Sequence, residues 1–175
     1  MKILAISGSL RPQSSNTAIL QAVVELVTAD VNISIYERIS NLPHFNPDLD
    51  DGLASVIDWR THLQDTDGVI FCTPEYAHGV PGALKNALDW IVSSGEFMYK
   101  PTAVISASPS PDGGDKANAS LVQTLRVMMA DIAPGATLCI PAISAKLNDK
   151  GKLIDSTTVS ALRSLFDILI YSINK

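Results

Sequence analysis

The chain has 175 residues, of which 46% are hydrophobic and 18% charged, and a formal net charge of −5. Length and apolar content suit a single domain with a full core and argue against disorder. The acidic balance, with no basic block, argues against nucleic acid as the main partner, and no apolar run is long enough to span a bilayer.

The amino terminus opens with KILAIS, residues 2–7, a short apolar run that breaks at once into Ser and Gly. That is the pattern of a buried strand and not of an export signal, so a cytoplasmic location is expected. From Thr17 to Thr28 the residues Ile19, Leu20, Val23, Val24 and Val27 keep helical spacing. VNISIYE, residues 31–37, alternates and reads as an edge strand. Leu53 to Leu63 carries Val56, Ile57 and Leu63 in helical register, and DGVIFCT, residues 67–73, is a second fully apolar run. Val80 to Val92 begins with Pro81 near a first helical turn and sets Val80, Leu84, Ala87, Leu88 and Ile91 in a stripe. TAVISAS (residues 102–108) and ATLCIPAI (136–143) repeat the buried-strand pattern, and helical patterns over Leu121–Ile132 and Val159–Ile170 complete the chain. Cys72 and Cys139 each fall in an apolar strand-like run, too few for a disulfide framework, and are expected to be reduced core residues.

Five strands alternating with five helices predict an α/β chain, one open parallel sheet with helices on both faces. In such sheets ligands bind beyond the carboxyl ends of the strands, where the strand order reverses. For the order 2-1-3-4-5 the loops after the first, third and fourth strands converge there: SGSLRPQSSN, TPEYAHGVPG and SASPSPDGGDKA. They are also the loops richest in Gly, Ser, Pro and ionisable groups.

The first loop suits a phosphate. A helix amino terminus presents unpaired N–H groups, Ser9, Ser15 and Asn16 add side-chain donors, and Arg11 adds a charged fork. The other reading is a Ser/Asn-rich turn that only caps a helix. The loop is neither a Walker A sequence nor the G-x-G-x-x-G fingerprint. In the second loop, Tyr76 is placed to pack on a flat ring, N–H groups near Glu75 and Tyr76 can meet a ring edge, and Gly79 and Gly82 permit close backbone approach. Taken singly, Tyr76, Glu75 and His78 read as surface and turn residues; beside the first loop they read as a site. No His, Asp or Glu spacing resembles a metal site, and no G-x-S-x-G elbow is present.

GSLRPQSSN and PEYAHGVPGALKNALDW resemble the two hallmark segments of the NADPH-dependent FMN reductase family, flavodoxin-like reductases of flavins, quinones, azo dyes and chromate. The first match falls on Gly8, Ser9, Arg11, Ser14 and Asn16. The second falls on Pro74, Glu75, Tyr76, Pro81, Gly82, Leu84, Lys85, Asn86, Asp89 and Trp90. The sequence departs from the family where Ala77 replaces an Asn, and in a third loop that inserts Pro109, Pro111 and Asp112 and has Lys116 where Arg is usual.

The resemblance implies a flavodoxin-like three-layer α/β/α sandwich over residues 1–175. It places the FMN phosphate on Ser9, Arg11, Ser14, Ser15, Asn16 and Thr17. The ring would lie by Pro74, Glu75, Tyr76, Ala77, His78 and Gly79, with Ser106, Ser108 and Gly113 on the other side. NADPH or NADH would give a hydride to the flavin, which passes electrons to a small acceptor in ping-pong turns at one face; no side-chain acid or base is required. Arg11 is also the cation nearest that face for a nicotinamide phosphate. A homodimer or homotetramer is implied around the helix from Val80, with Trp90 either an interface residue or an intrachain core residue, and His44 either at the pocket mouth or on a plain surface loop. A flavodoxin-like electron carrier and a flavin-free module on the same scaffold remain as other readings.

Overall fold

The computed structural model describes residues 1–27, 30–49 and 52–175. Five parallel strands, β1 (Lys2–Ser7), β2 (Asn32–Tyr36), β3 (Gly68–Thr73), β4 (Thr102–Ala107) and β5 (Thr137–Ile140), form one sheet in the order β2-β1-β3-β4-β5. The helices are α1 (Ser15–Leu26), α2 (Ala54–Gln64), α3 (Gly82–Asp89), α4 (Asp115–Val127) and α5 (Ser156–Ile173). This is the expected order.

Alternate strand residues feed two cores, as the period of two requires. Leu4, Ile6, Val69, Phe71 and Val104 pack under α2, α3 and α4 with Trp59, Leu84, Leu88, Leu121 and Leu125. Ile3, Ala5, Ile70, Cys72, Ala103 and Ile105 pack under α1 and α5 with Ile19, Leu20, Val23, Leu162, Leu165 and Leu169. Each buried Val, Leu, Ile or Phe among them, removed from water, stabilises the sandwich by about 1.5–3 kcal/mol before entropy is counted.

Several boundaries differ from the sequence reading. The first helix begins two residues earlier than expected, because Ser14 caps it by accepting from the N–H of Asn16; its expected end, Thr28, lies outside the described residues. α3 is shorter than Val80–Val92: it starts after Pro81 and gives way to turns at Trp90. α4 lies several residues upstream of Leu121–Ile132. Gly114, left-handed at φ 80°, starts it, and Met129, at φ 64°, lies beyond its end. Small residues in its first turns hide the apolar period. β5 is an edge strand whose Thr137 and Cys139 are exposed, so Cys139 is not a core residue; only Cys72 is. The alternation expected of β2 is present, with Tyr36 buried at its end.

Among the described residues no helix is long and apolar enough to cross a membrane.

Candidate functional site

β1 has β2 on one side and β3 on the other, so the strand order reverses at β1. The parallel register (Ser7 beside Cys72, Thr73 beside Ser106) brings the loops after β1, β3 and β4 out at one edge. Residues 8–14, 74–81 and 108–114 therefore leave the sheet at the one edge expected from the strand order.

The first loop is held from beneath. The N–H of Gly8 donates to the carbonyl of Cys72 at 2.8 Å, and a side chain at position 8 would put its Cβ 2.6 Å from Thr73 Oγ1, so only glycine fits this approach. The loop's own polar groups then shape it. Ser9 Oγ accepts from the N–H of Arg11, Ser14 Oγ from the N–H of Asn16, and Thr17 Oγ1 donates to Ser7 Oγ at 3.0 Å.

Asn16 differs from its expected role as a side-chain donor to the loop. Its side chain is buried, its amide donates to the carbonyl of Ala107 at 3.3 Å, and its Oδ1 accepts from the Cys72 thiol at 3.3 Å. Asn16 thus ties the first turn of α1 to β3 and β4. Burial pushes the Cys72 thiol well above the ordinary thiol range, which keeps it neutral and unreactive.

Among the described residues the N–H groups of Ser15 and Thr17, in the open first turn of α1, donate to no protein acceptor. The Ser15 hydroxyl and the exposed Arg11 guanidinium are likewise uncommitted. Two directed N–H groups, a hydroxyl, a helix amino terminus and a guanidinium are the donor set of a phosphate receptor, and they fit the terminal phosphate of a mononucleotide.

The second loop is a tight turn. Tyr76 and Gly79 exchange both backbone hydrogen bonds, at 3.1 and 3.0 Å, across Ala77 and His78. Both central residues have positive φ, 50° and 58°, the geometry in which Asn and Gly are favoured. The Tyr76 N–H is spent inside the turn, so the open donors here are the N–H groups of Glu75, Ala77 and His78. Pro74 is buried and Tyr76 is exposed, while the Glu75 carboxylate is mostly covered and paired with His78 Nδ1 at 3.3 Å.

The third loop folds toward β5. Ser106 Oγ donates to the carbonyl of Gly113 at 2.8 Å, Ser108 Oγ accepts from the N–H of Ser110, and Ser108 N–H bonds the carbonyl of Ile140. Gly113 has φ 64°, and a Cβ there would lie 2.9 Å from the Ile140 backbone. Ser106, Ser108 and Gly113 are thus spent on the loop's shape. Lys116 pairs with Asp115 at 3.0 Å, which raises the ammonium's pKa and lowers the carboxyl's.

Three supports escaped sequence reasoning. Glu75 Oε2 accepts from the N–H of Ala117 at 2.9 Å, fastening the second loop to α4. Asn118, buried in α4, donates to the carbonyls of Val104 and Leu138 and to Ser106 Oγ. Asn86 and Trp90 hold the segment at Pro43 through its main chain. Trp90 is 4% exposed, an intrachain core residue, and His44 is exposed beside the held segment. Glu75, Asn86 and Trp90 were visible only as matches to the second hallmark segment, and no sequence pattern pointed to Asn118.

The family model for NADPH-dependent FMN reductase matches residues 1–144 of the chain. An NAD(P)H-dependent FMN reductase of Pseudomonas aeruginosa is 34% identical over 161 residues, 89% of this chain and 85% of that protein. A quinone reductase of Pseudomonas putida is 35% identical over 163 residues, covering 89% and 86%. The solved structure of FerB, a flavoenzyme NAD(P)H:(acceptor) oxidoreductase from Paracoccus denitrificans, matches with a TM-score of 0.89 at 28% identity, over 99% of this chain and 97% of that one.

Proposed function

The chain belongs to the NADPH-dependent FMN reductase family, and from that premise we propose how its three loops serve an NAD(P)H-dependent flavin enzyme that reduces a flavin, a quinone or a similar small acceptor. The observation that carries this reading is the pair of open N–H groups at Ser15 and Thr17, beside Arg11, at the same sheet edge as the 77–78 turn. Residues 1–175 act as one FMN-binding unit in the cytoplasm.

Ser15, Thr17 and Arg11 hold the FMN phosphate, with Ser9 and Ser14 shaping the loop and Asn16 anchoring it from behind. The N–H groups of Glu75, Ala77 and His78 meet the ring edge, and Pro74, Tyr76 and Gly79 set the path of that loop. Ser106, Ser108 and Gly113 keep the third loop against β5, which leaves room for the ring between the loops. FMN held by these residues would supply the redox chemistry, hydride transfer from NAD(P)H and electron transfer to the acceptor. The protein binds, orients and leaves one face open, so the nicotinamide and the acceptor occupy it in turn and the kinetics are ping-pong.

The active unit is a homodimer or homotetramer. Val92, Met98, Tyr99, Val127 and Met129 are exposed around the ends of α3 and α4, where the Tyr99 N–H bonds the Met129 carbonyl, and a second copy would cover them.

The test is anaerobic mixing of FMN-loaded protein with NADPH and, separately, NADH. Rapid bleaching of the flavin absorbance, with parallel double-reciprocal lines when an acceptor is varied, supports the reading. Flavin that binds but is not bleached by either nucleotide overturns it in favour of an electron carrier.

A further inference from the structure

The segment after β2 is fixed to α3 in an unusual way. Asn86 Oδ1 accepts the N–H of Phe45 at 2.7 Å, and Asn86 Nδ2 donates to the carbonyl of Pro43 at 2.9 Å. Trp90, one helical turn on, donates from Nε1 to the same Pro43 carbonyl at 2.8 Å. The Phe45 ring then meets Trp90 edge-on, with centroids 5.2 Å apart at 90°. Behind them Trp59 Nε1 donates to the carbonyl of Ala87 at 2.9 Å and fixes α3 itself. All three bonds to the strap use its main chain.

The strap's route places it at the mouth of the site. It leaves β2 at the carboxyl edge of the sheet. Glu37, Ile39 and Ser40 line a cavity of about 240 Å³ together with Ser9, Arg11 and Thr17 of the phosphate loop. Five residues beyond Ser40 it docks on α3, about one turn into the helix that the 74–81 loop leads into. The strap therefore runs from the first loop's side of the crevice to the second loop's side. Leu42 already fills the core beneath it at 7% exposure, yet Phe45 stays 39% exposed while held at its own N–H. The clamp thus fixes the backbone beneath a partly exposed aromatic ring whose edge packs on Trp90.

We propose that Asn86 and Trp90 are positioning residues that hold the Phe45 ring as one wall of the acceptor site, where it selects flat aromatic acceptors of the quinone class over small charged ones. This rests on the flavin-reductase reading. An offset or edge-on ring pair gives discrimination only when the protein ring is already immobilised, and the clamp supplies that.

The test compares menadione with ferricyanide as acceptors for FMN-loaded enzyme under NAD(P)H. Phe45→Ala should lower kcat/KM for menadione relative to ferricyanide about tenfold, mainly through KM, and Phe45→Tyr should restore the ratio. Asn86→Ala should shift the ratio the same way and speed hydrogen exchange at the Phe45 amide in flavin-free protein. Menadione added to oxidised enzyme without reductant should shift the Phe45 ring resonances. Equal loss with both acceptors, an unchanged ratio in Phe45→Ala, or ring resonances that do not move would overturn the inference while leaving wild-type flavin reduction intact. Failure of the wild type to be reduced at all would instead remove the reading beneath it.

Discussion

Glu75 and Ala117 are 42 residues apart, yet the carboxylate of one accepts the backbone N–H of the other at 2.9 Å. The bond spends an open donor of α4's first turn on the loop after β3, so two of the three site loops move as one body. The same carboxylate carries His78 on its other oxygen.

Removing that carboxylate should loosen the ring side of the site. Glu75→Ala is expected to raise the FMN Kd about tenfold, roughly the loss of one helix cap plus the ordering of the loop. Glu75→Gln keeps an acceptor for Ala117 and should show a smaller effect. Fluorescence titration of free FMN measures both.

The Asn16 anchor makes a stability prediction. Asn16→Ala leaves the Ala107 carbonyl and the Cys72 thiol without their partner in a buried place. A loss of about 2 kcal/mol in urea unfolding is expected. Asn16→Asp should be worse, because it sets a carboxylate against a carbonyl. Cys72→Val should be mild, because the thiol bond is weak.

Ala77 is poorly suited to its backbone. With φ 50° it pays a left-handed cost that Asn or Gly avoids. Ala77→Asn should raise the melting temperature by about 2–4 °C, the shift expected from about 1 kcal/mol in a chain of this size. The cofactor-free protein is the form to measure, since ligand would mask the difference.

A pH dependence follows from the amino terminus of α5. Thr158 donates to the Asp155 carboxylate from its hydroxyl and its N–H, and Lys146 pairs with it at 3.3 Å. These contacts lower the carboxyl's pKa below its ordinary 3.8, the Thr158 hydroxyl contributing most. A lowered folded value means stability that is fully present above the unfolded value and is lost as pH falls through the folded one. The urea midpoint of wild type should therefore exceed that of Asp155→Asn at neutral pH. The gap should close as the pH drops below about 3.8.

The parts of this fold that sequence alone revealed are those with unbroken patterns. β1, β3 and β4 are apolar on both faces because helices cover both, and their order alone told which loops leave the sheet at its carboxyl edge. α4 was misplaced because Ala117, Asn118 and Ala119 in its first turns carry no apolar period; Gly114 and the Glu75 bond mark its start. β5 read as buried, but it is short and at the edge, so Thr137 and Cys139 face outward while Ile140 faces the core. Asn16 read as a donor to the loop because its type suits a phosphate. Its inward turn depends on Ala107, which is 91 residues away. Asn86 and Trp90 were visible as a motif, but their purpose lies in Pro43 and Phe45, a partner segment that no local pattern can specify.

The open amides of Ser15 and Thr17 belong to the main chain and not to any side chain. Alanine scanning would pass over them, since every residue but proline supplies the same N–H. Only an imino acid erases one, and Ser15 occupies the first helical position, where proline is tolerated without breaking the helix. Ser15→Pro thus subtracts that N–H together with the Ser15 hydroxyl, and Ser15→Ala, which loses the hydroxyl alone, isolates the amide's share. It also means that drift in the side chains of this loop can proceed a long way before the grip on an anion is lost.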